Sequence, residues 1–361
     1  MNVDQARVHL VGSLPFGNAE DSFRAVTNAL AGYVGWIPDG EFGERLNWTA
    51  MLPEFVYPYE DDLVEVVAPP ERTLMQPPVS DEPIPGELPG FWTFRIKPGH
   101  KLRFNDLIYG RAAVASYQTF RRLRDAGEIA ADVRFQVSLP SAHSGIESYF
   151  DDHTQWPEAH AAWIDGIGRE IDKILAVAPA TDLVFQWDCA NEFVDLGLGD
   201  TRVMNFSPHL TAAEKFERHA GQLGALGALI PSDALLGFHW CYGTWGGWPA
   251  VAMQDLDACV RLSNEAVRRI SRHVDYIHMP VVPRPDDAFY APLRNLKIGD
   301  TRVFLGMVHP TDTIDDFRRR RDLARKYLPD FGIGWVCGFR EVDAHGGRTV
   351  LAVHAANAAE L

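Results

Sequence analysis

Short, almost continuously apolar runs alternate along this chain with longer stretches in which apolar residues recur every three to four positions. The runs are VHLVGS (8–13), YVGWIPDG (33–40), VRFQVSLP (133–140), DLVFQWD (182–188), ALLGFHWC (234–241), VDYIHMPV (274–281), TRVFLGMV (301–308) and FGIGWVCG (331–338). Helical periodicity covers 20–31, 105–127, 155–177, 211–228, 252–272 and 312–327. The last of these, DTIDDFRRRRDLARKY, begins acidic and ends basic, as a helix dipole favours. Strand-then-helix alternation predicts a parallel sheet with crossover helices, and strands apolar throughout predict burial on both faces. Repeated this often, the pattern predicts an α/β fold, a single (β/α)8 TIM barrel spanning 1–361, over an open doubly wound sheet.

One region breaks the rhythm. Residues 53–90 carry nine of the 24 prolines, a density that forbids a long helix or a central strand. Only two strand runs precede it, so it reads as an insertion after the second barrel strand rather than a linker between domains. Its expected extent is 53–104, with FWTFRIK (91–97) as an added strand and the whole acting as a lid over the C-terminal face.

Composition narrows the function classes. The 361 residues hold 34 Lys+Arg and 49 Asp+Glu, a net charge of −15, with no basic stripe to attract a phosphate backbone. No run approaches the roughly 18 apolar residues of a membrane span, and MNVDQARVHLVGS lacks the basic and apolar regions of a secretion signal. The expectation is a cytoplasmic protein that binds neither nucleic acid nor membrane, and homo-oligomerisation is left open. Four cysteines are too few for a disulfide scaffold.

In a barrel, chemistry gathers at the C-terminal strand ends. The polar groups expected there are Ser13; Asp39, Glu41, Arg45 and Trp48; Ser138, Ser141 and His143; Asp188, Asn191 and Glu192; His239 and Cys241; His278; His309; and Cys337 with Arg340 and Glu341. His239 and Cys241 lie two apart on a strand end and so share a face. Cys337 is 96 residues on, at the equivalent end of another strand. Two thiolates and an imidazole suit Zn2+, with a position left for substrate. Cys189 and Cys259 read instead as buried filler.

These residues carry a resemblance. VGSLP (11–15), DGEFGER (39–45), FQWDCANEF (185–193), HWCYG (239–243), MVHP (307–310) and VCGF (336–339) are similar, in order, to motifs of the catalytic barrel of cobalamin-independent methionine synthase and its relatives. That superfamily also includes uroporphyrinogen decarboxylase. The resemblance implies zinc on His239, Cys241 and Cys337, an amino group held by Glu41 and Asp188, a carboxylate near Ser13, and proton handling by His309. Zinc in that role keeps a substrate thiol deprotonated and presents it to an alkyl donor.

The chain also departs from the pattern. The family's fourth zinc ligand is a Glu in an Ile-Glu-Thr motif, where DYIHMPV (275–281) places Pro280; His278 becomes a substitute ligand, a group supporting a ligand from behind, or an acid–base group. Trp187, Trp240, Trp245 and Trp248 suggest an aromatic or bulky apolar substrate. A single barrel at −15 argues against a polyglutamyl folate donor. The expected function is a zinc-dependent thiol methyl- or alkyltransferase whose partners are small molecules, a thiol and an alkyl donor. His309, His278 and Asp188 are the candidate catalytic groups, and Ser13, Glu41, Arg45, Asp188, Asn191 and Trp240 the candidate substrate contacts. The alternative is a metal-dependent lyase or decarboxylase acting on a carboxylated or aromatic molecule, with a binding protein on a decayed barrel behind both.

Overall fold

All eight apolar runs form parallel strands, because each is buried on both faces and can be satisfied only between a barrel interior and a helical layer. The computed structural model describes residues 3–67, 92–197, 207, 210–244, 248–251, 253–309, 312–339 and 342–361. Its strands are β1 (Val8–His9), β2 (Trp36–Pro38), β3 (Leu63–Val67), β4 (Thr93–Ile96), β5 (Arg134–Pro140), β6 (Leu183–Cys189), β7 (Leu235–Trp240), β8 (Tyr276–Pro280), β9 (Arg302–Val308) and β10 (Gly332–Trp335). Helices are α1 (Ala19–Leu30), α2 (Leu52–Phe55), α3 (Tyr109–Asp125), α4 (Ala142–Ile146), α5 (Trp156–Leu175), α6 (Asn191–Gly197), α7 (Ala212–Gly221), α8 (Leu223–Ala228), α9 (Asp257–Arg269), α10 (Asp287–Tyr290), α11 (Ile314–Arg325) and α12 (Ala344–Ala358). No described helix is long and apolar enough to cross a membrane.

The parallel sheet runs β1-β10-β9-β8-β7-β6-β5-β2. Its two edges meet at a single parallel bridge between Ser13 and Gly40, giving a nearly closed (β/α)8 barrel. Below that bridge β1 and β2 share no ladder among the described residues. Side chains from across the interior serve the free backbone instead. Val11 O accepts from Gln136 Nε2 at 2.7 Å, Gln186 Nε2 at 2.7 Å and Ser138 Oγ at 3.0 Å.

The barrel interior is layered. Near the strand starts, Ala6, Trp36, Val184, Tyr276 and Phe304 form an apolar plug. Above it come the glutamines, then the polar strand ends. Gly237 is required at the plug, because a Cβ there would stand 2.0 Å from Tyr276 Cζ. The tyrosine ring cannot retreat: it stacks on Trp36 at 4.7 Å and donates to Gln186 Oε1 at 3.0 Å. Gly237→Ala is therefore expected to cost about 3 kcal/mol, the upper end of ordinary overpacking, read as a shift in the denaturation midpoint at unchanged slope.

The interruption after β2 leaves the barrel sheet. β3 and β4 pair antiparallel in a separate two-stranded sheet, so the strand expected at 91–97 forms over Thr93–Ile96 beside β3. Phe94 N donates to Tyr149 O at 2.7 Å, and Tyr57 packs edge-on against Phe94, Tyr149 and Phe150. These contacts tie the insertion to the segment that follows β5. Residues 68–91, the core of the proline-rich stretch expected as a lid, lie outside the described residues.

Candidate functional site

β7 ends by delivering His239 inward and Trp240 outward, and the chain continues so that Cys241 N donates to Cys189 O at 3.0 Å, extending the β6 register by one residue. This places Cys241 on the same face as His239. Beyond β10, Cys337 arrives at the same rim. Cys241 Sγ and Cys337 Sγ are 3.7 Å apart, and each of His239, Cys241 and Cys337 offers a ligand atom within 4.8 Å of the others. Both cysteines are reduced, outside any disulfide. His239 Nε2 is buried without a hydrogen-bond partner, a costly state unless something binds there. An imidazole nitrogen and two thiol sulfurs converging on one point fit a zinc ion.

The other nitrogen of that imidazole is held. His239 Nδ1 lies 2.8 Å from His278 Nδ1, its register partner on β8. His278 is fully buried, and burial lowers its pKa to about 3 despite the pull of the Trp335 carbonyl. Room for its ring comes from two glycines: a Cβ on Gly306 or Gly334 would stand 2.9 or 3.1 Å from His278 Nε2. His278 is thus directed at His239 and lies outside the His239–Cys241–Cys337 group.

A second patch of charge adjoins the first. Glu41 follows β2 with φ of 53°, a left-handed conformation that is uncommon outside glycine and tends to mark functional sites. Its amide donates to Asp39 Oδ1 at 3.0 Å, which fixes the turn. The Glu41 carboxylate accepts from Ser13 Oγ and lies over Gly12, where a Cβ would meet Oε1 at 2.8 Å. Phe339 N donates to Ser13 O at 3.1 Å, so this patch abuts the segment carrying Cys337.

Asp188 completes the rim. Its pKa is pushed well above the usual carboxylate range, first by burial and then by the Glu41 charge, against the hydrogen bond from Gln186 Nε2 at 2.7 Å. Trp48, one of the polar groups expected after the second strand, also donates to it. Because an unfolded Asp titrates near 3.9, the folded chain holds an extra proton above that pH, and stability falls as pH rises toward the raised pKa. Asp188→Asn is expected to flatten this slope, so that urea midpoints for the variant gain on the parent as pH rises above the unfolded carboxylate pKa of about 3.9.

Other sequence candidates are placed elsewhere. Arg45 is buried and paired with Asp39 at 2.5 Å. Asn191 Nδ2 donates to His143 O and Ser148 Oγ, both at 3.0 Å, and so is spent on α4 and its continuation. Trp240 faces the helical layer, with Nε1 on Ser263 Oγ at 2.9 Å and its ring against Phe193 and Phe238. Strand alternation gives the reason, since the neighbour of an inward His must point out. The structure therefore does not bring Trp240 to the cluster. His309 is buried with its ring 6.0 Å from Trp248, and burial, reinforced by Arg320, lowers its pKa to about 3. Trp245, Arg340 and Glu341 lie outside the described residues. Cys189 and Cys259 are buried thiols, with burial pushing Cys259 up to about 12.

Comparison with known proteins gives structural likeness at low identity. No family model matches the sequence, and no curated protein matches it. Among solved structures, a B12-independent methionine synthase from Shewanella sp. W3-18-1, in complex with selenomethionine, aligns with 99% of this chain and 97% of its own at 12% identity and a TM-score of 0.64. A protein of Listeria monocytogenes assigned as a vitamin-B12-independent methionine synthase aligns over 95% and 86% at 11% identity and a TM-score of 0.57. At such identities the likeness establishes the barrel fold.

Proposed function

We propose that the chain is a zinc-dependent thiol methyl- or alkyltransferase. The observation that carries this reading is the convergence of one ligand atom each from His239, Cys241 and Cys337 within 4.8 Å beside a buried carboxylate pair. His239, Cys241 and Cys337 would hold the ion, which when bound supplies a site where a substrate thiol stays deprotonated near neutral pH. His278, pressed against Nδ1 of His239, holds that ring and leaves Nε2 as the nitrogen that would bind the ion.

The remaining residues orient the acceptor. Glu41 and Asp188 are matched to an ammonium group, whose charge would draw the extra proton off Asp188 on binding. Ser13 Oγ, already hydrogen-bonded to Glu41, borders the place for the carboxylate end. The resemblance would give proton handling to His309, whose imidazole burial keeps neutral. The selenomethionine bound by the Shewanella protein supports an amino-acid acceptor.

Cobalt-substituted protein tests this. Thiolate-to-cobalt charge-transfer absorption is expected from Cys241 and Cys337, and it should gain intensity when amino thiols are added. Indifference to every thiol would sink the transferase reading and favour a lyase, for which a protonated Asp188 is the natural proton donor.

A further inference from the structure

α4 begins at its N-cap Ser141, immediately after β5, and its His143 and C-cap residue Glu147, four residues apart, share one face. α5 packs against it and presents His160 to the same place. The Glu147 side chain is fully buried. Its Oε1 lies 2.5 Å from His143 Nδ1 and 3.1 Å from His160 Nε2, and also pairs with the Arg218 guanidinium. Its Oε2 is buried with no hydrogen-bond partner. A simple buried ion pair would engage both oxygens and would need neither histidine. Here three nitrogen groups crowd one oxygen while the other is left unserved, an arrangement that a single cation resolves.

Ligand atoms of His143, Glu147 and His160 lie within 4.8 Å of one another. Ala142, His143 and His160 line a groove of about 550 Å³ between α5 and α8, which also includes Asp165, Asp172 and Gln222. None of His239, Cys241 and Cys337 lines this groove. Arg218 has a second partner in Asp195, at 3.5 Å, and its side chain is one-fifth exposed, so it can leave Glu147 without being stranded. The His143 ring is backed by His219 at 4.7 Å between centroids, and His219 Nε2 is tied to Asp195 at 2.8 Å.

We propose that His143, Glu147 and His160 form a second divalent-metal site that opens onto the α5–α8 groove, with Arg218 as the cation an incoming metal displaces. Two imidazoles and one carboxylate suit late first-row ions such as Co2+, Ni2+ and Zn2+. Three protein ligands leave coordination positions open to water or a small ligand from the groove.

The site is tested independently of the strand-end cluster in protein carrying Cys241→Ser and Cys337→Ser, titrated with Co2+ or Ni2+. One equivalent is expected to bind, giving ligand-field absorption without thiolate charge transfer. His160→Ala, at a partly exposed position, should weaken binding by more than the roughly 10–100-fold that loss of a mere supporting residue costs, and Glu147→Gln should do the same. Arg218→Gln should tighten binding severalfold. No stoichiometric uptake, or uptake unaffected by His160→Ala, overturns the site; uptake that Arg218→Gln leaves unchanged overturns the displacement. If the double cysteine variant does not fold, the second equivalent is counted in the intact zinc-loaded protein by elemental analysis with and without His160→Ala. A count that does not change again overturns the proposal.

Discussion

Protein carrying Cys337→Ser is expected to lose one equivalent of zinc per chain relative to the parent, and thiol alkylation with it. A serine hydroxyl does not ionise near neutral pH, so only His239 and Cys241 would remain, and two ligands do not make the three-ligand set of a catalytic zinc site. Metal supplies several kcal/mol to such reactions, so the rate should fall by roughly 10³-fold or more. Cys259→Ser is the matched control. That thiol sits within α9, 3.4 Å from the Tyr242 hydroxyl, and its replacement should leave metal content unchanged. Elemental analysis and single-turnover alkylation read both variants. Full zinc retention in Cys337→Ser would remove the basis of the proposed activity.

The second large effect is on stability. Arg45→Met should cost about 3–5 kcal/mol, because it strands the Asp39 carboxylate in the interior. Burial alone would raise the Asp39 pKa, but Arg45 and the hydrogen bond from Ser116 Oγ at 2.6 Å hold it below the usual range. The linkage sign follows: this contribution is present above the unfolded carboxylate pKa and is lost as pH falls through the folded one. Arg45→Met should therefore be most damaging near neutrality and converge on the parent in acid. The double variant Asp39→Asn/Arg45→Met should be less destabilised than Arg45→Met alone, since no charge is left unpaired. A variant with parental stability and a raised KM would instead make Arg45 a substrate contact.

The barrel was legible because each strand run carries its own evidence of two-sided burial, and all eight runs became barrel strands. Helix ends were less so. The 211–228 pattern is two helices, α7 and α8, and the pattern from 252 becomes helical only at Asp257. α12, AHGGRTVLAVHAANA, went unread: its glycines and alanines give no polar face to contrast with a buried one. At the rim, the His-x-Cys spacing and the distant Cys337 could be read, since a strand fixes which side chains share a face. The commitment of Asn191 could not, because its partners, His143 and Ser148, lie on a segment whose approach only the folded chain defines. His160 was passed over for the same reason, although the four-residue spacing of His143 and Glu147 was a signal available in the sequence.

The sparse junction between β1 and β2 has a dynamic consequence. One bridge, three side-chain donors on Val11 and a few flanking amides must do there what a continuous ladder does around the rest of the barrel. That line should be where the cylinder opens first in native fluctuations, with the Leu10–Ser13 amides exchanging with solvent well before those of β6 and β7. Its upper end is the Ser13–Gly40 bridge, directly beside Glu41. A ligand that clasps Ser13 and Glu41 would rivet the cylinder along its weakest line, so occupancy of the rim would be felt as slower exchange along the whole seam.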